Sequence, residues 1–450
     1  MEILVVGLGK SGIAVANYLA DKNHTVTITD NKTEKELTDS IALLDKSVSV
    51  SVGGFASVMK SEYDLVVTSP GVPWEGDVLS YFREAGVTVI SEIELAFTEY
   101  KRDWIAITGT NGKSTTTMLV GEMLKRGGKE AIVCGNIGNP VIGEEGLSIF
   151  GTNVVAEISS FQLEGAVTFA PKVSAILNIT PDHLDRHKTL ERYVELKKRV
   201  FARQTSADFC VLNMDDVTTA SLSGEIPSRL FGFSCEKKMK DGVYVSGEKM
   251  ILSDKGRETE ICKTSEIKLI GKSGIENGAA ASAIAYCAGV DIEAVREALF
   301  TFKGLPHRME LVGEYRGVRY INDSKATNVN AALKGVEGME EGVCVILGGR
   351  DKAGDFAPLA DLIRKKNGHV VLIGEAAEKI AKSFGDYKKV VNASSMAEAV
   401  KKGAELVGAG SVLLSPACAS FDMFRNFEDR GDKFREAVEK IVSNNEVAHA

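Results

Sequence analysis

Three times along this chain a short, β-rich apolar run passes into a glycine-rich turn: ILVVGLGKSG (3–12), WIAITGTNGKST (104–115) and VCVILGG (343–349). After at least the first two the pattern becomes helical, as in IAVANYLADK (13–22) and TTMLVGEMLKRGG (116–128). That order commits a chain to α/β layering around parallel sheets. The 450 residues exceed one hydrophobic core, since domains typically hold about 100–200 residues. We expect domains at 1–93, 94–303 and 304–450. The first adds strand-like runs at 25–30, 48–52, 64–71 and 87–91. The second adds runs at 153–164 and 173–180, a hairpin at 242–254 and a helix at 279–289. The third adds strands at 369–374 and 411–415, an amphipathic helix and a polar tail expected to fray.

The net charge of -8 argues against a general nucleic-acid or acidic-membrane binder, so any anionic ligand must be held by local loops. Seven scattered cysteines without a C-x-x-C pair suggest neither a disulfide framework nor a cysteine zinc site, which fits a reducing cytoplasm. The N-terminus lacks a basic leader, and no stretch approaches about 18 uninterrupted apolar residues, so neither secretion nor membrane spanning is expected.

Gly7, Gly9 and Gly12 form G-x-G-x-x-G directly after a strand, and Asp30 ends the next strand, where a Rossmann domain places the acid that holds a ribose hydroxyl. The geometry suits any nucleotide diphosphate: NAD(P) and a UDP-sugar stand level on this motif, beside a tight turn with no ligand. GTNGKST (109–115) keeps only Thr110 and Asn111 between Gly109 and Gly112, where the familiar phosphate loop has four residues between its glycines. It still lies between a strand and a helix. Lys113 can neutralise β- and γ-phosphates, the Ser114 hydroxyl can ligate Mg²⁺, and N–H groups after Gly109 can form an anion nest. A nucleoside triphosphate is expected over Gly109, Thr110, Asn111, Gly112, Lys113, Ser114 and Thr115.

GNIGNP (135–140), EISSFQLE (157–164) and TPDHLDRH (180–187) each follow a strand-like run and should converge on the sheet edge that carries this loop. Glu157 and His183 are candidates for metal or substrate contacts. In TLERYVELKKRVFARQ (189–204), Leu190, Tyr193, Val194, Val200 and Phe201 form an apolar stripe with Lys197 in its middle, while Lys198 points away. An inward lysine must snorkel, find a partner or lose its proton through desolvation. Snorkelling is the commoner case; a depressed pKa would leave the amine able to take up CO₂ as a carbamate, an oxygen ligand for Mg²⁺. LPHRME (305–310), YINDSKATN (320–328), GGRDKAGDF (348–356) and SPACASFDMFRNFEDRG (415–431) are polar loops beside strands, suited to ligand contacts and equally to ordinary turns.

Together, GTNGKST, EISSFQLE, TPDHLDRH, LPHRME, NDSKATN and SPACAS resemble the Mur ligases, ATP-dependent amide-forming enzymes of peptidoglycan precursor synthesis, over essentially the whole chain. The shortened loop is that family's version of the phosphate cradle. It is shared with sister ligases and with folylpolyglutamate synthetases, which lack the leading domain present here. NDSKATN with SPACAS looks like the member that joins D-glutamate to UDP-N-acetylmuramoyl-L-alanine. The resemblance implies an α/β protein of three domains, Rossmann-like, P-loop ATPase-like and Rossmann-like in order, monomeric and cytoplasmic.

By the same resemblance the UDP end of the substrate meets Ser11, Asp30, Asn31, Lys32, Ser69 and Gly71, and its muramoyl-alanine arm meets Asn136 and Ser159. ATP meets residues 109–115, Asn277, Arg308 and Asp323. Two Mg²⁺ ions are implied, with Ser114, Glu157, His183 and carbamylated Lys197 as ligands; Lys113, His183, Lys197 and Glu157 are the catalytic set. D-Glutamate meets Thr327, Lys352, Ser420 and Phe427. An acyl phosphate on the L-alanine carboxylate is the implied intermediate, with closure of the third domain bringing Arg308, Lys325 and Lys352 over ATP and hinges near 91–95 and 302–306. Two departures stand out. Ser273-Gly274 replaces the family's common His-Asn pair ahead of Asn277, and Lys10-Ser11 with Asn31-Lys32 are not the commonest uracil-loop residues. A nicotinamide-dependent dehydrogenase and a non-catalytic nucleotide-binding regulator are the rivals from other classes.

Overall fold

The computed structural model describes residues 1–60, 62–149, 151–351 and 354–446. They build a mixed α/β protein with three sheets, each seeded by one of the strand–glycine turns. The chain divides into two compact units, residues 1–263 with 279–298, and residues 264–278 with 299–450.

In the first unit, a five-stranded parallel sheet runs 49–52, 25–30, 2–6, 65–68, 88–91. A nine-stranded sheet runs 257–263, 249–254, 242–246, 229–234, 209–213, 173–176, 104–108, 153–157, 131–135. Its strands are parallel from 131–135 through 242–246 and antiparallel beyond. The expected hairpin at 242–254 is thus the edge of the central sheet itself, extended by a third strand, Arg257–Lys263. The phosphate-loop strand Trp104–Thr108 lies between Asn153–Glu157 and Val173–Ile176, which points the ends of all three strands toward one edge. One apolar core is continuous from Ile3, Val5 and Ile28 to Trp104, Phe169 and Leu212, so the two sheets share a buried interior. The segment expected to hinge at 91–95 is not a loop: strand Thr88–Ser91 enters helix Glu92–Glu99 directly, and the Ser91 N–H donates to the Gly165 carbonyl at 3.1 Å.

The second unit carries a six-stranded sheet ordered 310–315, 318–322, 410–414, 344–348, 369–373, 390–392, parallel except for the first pair. Separate apolar clusters cover its two faces, as doubly wound sheets require. The terminal helix spans Phe427–Glu446, so part of the tail expected to fray is helical. The helix expected over 189–204 stops at Lys198, yet Val200 and Phe201 stay buried in the turn that follows. Gly274 sits where a Cβ would lie 2.7 Å from the Leu269 carbonyl carbon, so the Ser-Gly departure coincides with a close turn of the chain into helix Gly271–Cys287. Among the described residues no helix is long and apolar enough to cross a membrane.

Candidate active site

Strand Trp104–Thr108 is buried along its whole length and turns through Gly109 (φ 153°) and Gly112 (φ 84°) into helix Lys113–Arg126. These are dihedrals that only glycine adopts readily, which is why the shortened loop keeps both. The loop is sewn to the next strand end: Asn111 N–H donates to Asn178 Oδ1 (2.8 Å), Asn178 Nδ2 returns to the Asn111 carbonyl (3.0 Å), and Thr110 N–H meets the Asn178 carbonyl (2.9 Å). Lys113 arches over its own loop, donating to the carbonyls of Gly109 (2.9 Å) and Thr110 (3.0 Å). Ser114 is buried at the first turn of the helix.

Lys197 reaches this loop from helix Leu190–Lys198 and is 1% exposed. Its Nζ donates to the Gly109 carbonyl at 2.9 Å and Thr108 Oγ1 at 3.3 Å, and lies 4.6 Å from the centre of the Tyr193 ring. Burial first, and then the Lys113 cation, hold its pKa well below the ordinary 10.5; Asp182 and Glu157 pull weakly the other way. Inward placement and a depressed pKa are therefore both present, whereas Lys198 faces Glu195 and Glu225 at the surface. Glu157 ends strand Asn153–Glu157 at 2% exposure. Its Oε1 accepts from Asn136 Nδ2 at 2.7 Å, while its buried Oε2 has no hydrogen-bond partner. A buried carboxylate oxygen without a donor is costly in isolation and suits a hard cation. Among the described residues no three His, Cys, Asp or Glu side chains cluster as a metal set. Oxygen donors from Ser114, Glu157 and a carbamylated lysine are nonetheless chemically compatible with Mg²⁺.

His183 has φ 52° and caps the short helix Leu184–His187. Its half-exposed ring meets Phe161 edge-on at 4.9 Å, so the structure brings TPDHLDRH onto the EISSFQLE turn. That turn is a capping box: Gln162 Oε1 accepts from Ser159 N–H (2.9 Å) and Oγ–H (3.0 Å). Two members of these motifs escaped the sequence reading. His187 pairs with Ser160 Oγ (3.0 Å) and stacks on Tyr193; burial and neighbouring Arg186 push its pKa down to about 4, so the ring is neutral. Arg186 binds the Glu164 carboxylate and donates to the carbonyls of Gly71 (3.4 Å) and Val72 (2.7 Å), joining this loop to the first sheet. Only the fold could reveal that use of an arginine in a polar loop.

At the glycine loop of the first sheet, Gly12 is required by packing: a Cβ there would lie 1.8 Å from the Gly7 carbonyl oxygen. Asp30 Oδ2 accepts from Leu8 N–H (2.8 Å) and Oδ1 from Lys32 N–H (3.0 Å), so its carboxylate braces the loop as well as standing at its mouth. Ser69 donates to the Gly7 carbonyl at 2.9 Å. Ser11 is half-buried, Asn31 and Lys32 are exposed, and a Cβ at Gly9 or Gly71 would meet nothing within 4 Å, which leaves this mouth open.

In the second unit Asp323 is buried, accepting from Ser415 Oγ (2.9 Å) and Met309 N–H (3.3 Å). Burial raises its pKa to about 7 against the opposing pull of those donors and of Arg308. Lys325 Nζ lies 3.7 Å from the centre of the Phe427 ring, and Ser324 Oγ donates to the Phe427 carbonyl at 2.8 Å, so NDSKATN meets the terminal helix. Ser420 is 2% exposed, its carbonyl accepting from Phe424 N–H at 2.9 Å, and Thr327 is half-buried just ahead of helix Val329–Glu337. Arg430, unmarked in the sequence reading, is fully buried and donates to Ser324 Oγ (2.9 Å), the Ser324 carbonyl (2.8 Å) and the Cys418 carbonyl (3.0 Å). It ties the NDSKATN and SPACAS loops together. Asn277 lies near the start of helix Gly271–Cys287, and Lys352 falls outside the described residues.

Family models match the chain in order: a Mur ligase MurD-like N-terminal domain over residues 1–91, a Mur ligase middle domain over 107–285 and a Mur ligase glutamate ligase domain over 307–418. A protein of Pelotomaculum thermopropionicum named "UDP-N-acetylmuramoylalanine--D-glutamate ligase" is 43% identical over 446 residues, covering 97% of each chain. One of the same name from Caldanaerobacter subterraneus is 40% identical, covering 97% of this chain and 98% of the other. Among solved structures, a UDP-N-acetylmuramate-alanine ligase (MurC) of Thermotoga maritima has the same fold, with a TM-score of 0.58 at 20% identity over 99% of this chain and 100% of that one. A pseudomurein peptide ligase type C of Methanothermus fervidus gives 0.59 at 22% identity over 98% of this chain and 99% of that one. The chain, with its phosphate loop, buried lysine and three successive matching domains, belongs to the Mur ligase family.

Proposed function

We propose that this chain is an ATP-dependent ligase that adds D-glutamate to UDP-N-acetylmuramoyl-L-alanine through an acyl phosphate, in the cytoplasmic synthesis of peptidoglycan precursors. The observation that carries the reading is local: a desolvated Lys197 amine bound to the phosphate loop, within electrostatic reach of a Glu157 carboxylate that has one buried oxygen unused. Near-full-length identity of 40–43% to proteins named for that reaction supports the choice of substrates.

A carboxylate is a poor electrophile, so amide formation needs activation. The L-alanine carboxylate attacks the γ-phosphorus, ADP leaves, and the D-glutamate amine then displaces phosphate through a tetrahedral intermediate. Nucleophile and triphosphate are both anionic, so the chain's task is charge neutralisation and positioning. Lys113 and the N–H groups of 109–115 hold the phosphates, Asn136 and Ser159 hold the muramoyl-alanine arm, and Ser11, Asp30, Asn31, Lys32, Ser69 and Gly71 hold the UDP end. Neutral Lys197 adds CO₂ at Nζ and loses a proton, giving a carbamate; with Ser114, Glu157 and His183 it would hold two Mg²⁺ ions, which supply further positive charge to the reacting oxygens. Asn277, Arg308 and Asp323 are assigned to ATP, and Thr327, Lys352, Ser420 and Phe427 to D-glutamate. Domain limits at 93/94 and 303/304 and a monomeric state complete the proposal.

The test is phosphate release from ATP and Mg²⁺ with UDP-N-acetylmuramoyl-L-alanine, comparing D-glutamate with L-glutamate, L-lysine and no amino acid. Release that requires D-glutamate is the expected result. Release only with another amino acid would keep the ligase and discard the second-unit assignments; none with any acceptor would end the reading.

A further inference from the structure

Two carboxylates two residues apart, Glu92 and Glu94, are 0% and 2% exposed. Carboxylates that deep are nearly always paired with a cation, yet both here are met by backbone amides of the central domain. Glu94 takes a single loop: its oxygens accept from the N–H groups of Val167 (2.9 Å), Thr168 (2.7 Å) and Phe169 (3.1 Å) and from the Thr168 hydroxyl. Glu92 serves another loop. Its Oε1 accepts from Ile142 N–H at 2.9 Å, at the turn that ends GNIGNP, while Val141 N–H and the Gln162 side chain also favour its charged form. Oε2 makes no hydrogen bond. The linker backbone is pressed as closely as its side chains: a Cβ on Gly165 would lie 2.4 Å from the Ser91 nitrogen.

What Glu92 touches leads to a substrate position by one short route. The loop whose end it holds carries Asn136, bound through its N–H to the Glu157 carbonyl (2.8 Å) and through Nδ2 to Glu157 Oε1 (2.7 Å). From this geometry we infer that Glu92 is a positioning residue for the acyl arm of the UDP-linked substrate, acting through the loop that carries Asn136. The inference rests on the assignment of Asn136 under the proposed function. Glu94 is its internal control: the same kind of clamp from the same turn of helix, on a loop that carries no substrate position.

The experiment measures KM for UDP-N-acetylmuramoyl-L-alanine and for ATP, with thermal unfolding, in wild type, Glu92→Ala, Glu92→Gln and Glu94→Ala. Misplacing a substrate-holding loop costs about tenfold to a hundredfold, so Glu92→Ala should raise KM for the UDP-substrate by about tenfold or more and leave KM for ATP within about twofold. Glu92→Gln keeps an acceptor for Ile142 N–H and should restore KM to within about threefold. Glu94→Ala should lower the unfolding temperature comparably while both KM values hold. Unchanged KM for the UDP-substrate in Glu92→Ala, or the same rise in Glu94→Ala, overturns the inference. If Glu92→Ala does not fold, Glu92→Asp, which withdraws the carboxylate by one methylene, must raise the same KM by about threefold, and an unchanged value overturns it. A wild type that releases no phosphate with D-glutamate removes the proposed function and this inference with it; an active wild type with an indifferent Glu92 removes the inference alone.

Discussion

Among the described residues two cationic side chains, Lys197 and Arg430, are sealed, one in each compact unit, and they are held alike yet suited to different work. Lys197 is bound by one carbonyl and one hydroxyl. Arg430 is bound by two carbonyls and one hydroxyl. Among the described residues neither has a hydrogen bond to a carboxylate. Desolvation acts on both: it takes the lysine well below 10.5 but the arginine only to about 10. At neutral pH the guanidinium therefore stays a fixed charge that pins three acceptors with a planar fork, while the amine can give up its proton and become a nucleophile. Equal burial thus makes a structural bolt of one residue and suits the other to the reactive role proposed for it.

The largest expected effect separates those roles. Lys197→Ala should lower kcat by about a hundredfold or more, the scale on which metal-site groups act, and bicarbonate should not restore it. Unchanged turnover would remove Lys197 from the chemistry and break the comparison. Arg430→Ala leaves buried acceptors of Ser324 and Cys418 without their donor, and should cost about 3 kcal/mol in denaturant unfolding. A loss below about 1 kcal/mol would mean that water replaces the bolt.

Asp323 sharpens the comparison from the acidic side. Its folded pKa of about 7 exceeds the ordinary 3.8, so between those values the unfolded chain holds fewer protons and stability falls as pH rises. Asp323→Asn should remove that slope and be more stable than wild type at pH 8 by on the order of 2 kcal/mol, with little difference at pH 4. Parallel stability–pH curves for the two proteins would refute the shift. The smallest effect belongs to Lys198, next to the buried lysine but paired at the surface with Glu195 and Glu225. Lys198→Ala should change stability by about 0.5 kcal/mol or less and kcat by less than about twofold. A loss like that of Lys197→Ala would show that charge on this helix matters, rather than burial.

Much of the site was legible beforehand because its signals are local. A strand, two glycines and Lys-Ser place a phosphate loop without knowledge of anything distant, and helical spacing turned Lys197 inward and Lys198 outward. Apart from two helix ends, the misses are long-range. The hairpin at 242–254 read as an appendage because alternation shows a strand's exposed face and not its neighbour, here the rest of the central sheet. Arg186, His187 and Arg430 lie in stretches read only as polar loops, and their partners lie 12 to 115 positions away in the chain.

By itself, then, the amino-acid order determined three mostly parallel α/β sheets, the glycine loop before helix 113–126, the inward lysine and the motifs that carry family membership, because each depends on dihedral preference or on periods of two and 3.6 residues. Only the tertiary structure decided that the lysine's amine would rest on the Gly109 carbonyl 88 residues away, that one oxygen of Glu157 would be left without a donor, and that Glu92 would hold the turn at Ile142. Those outcomes depend on which groups lose their water together, and desolvation is a property of the packed chain rather than of any segment in it.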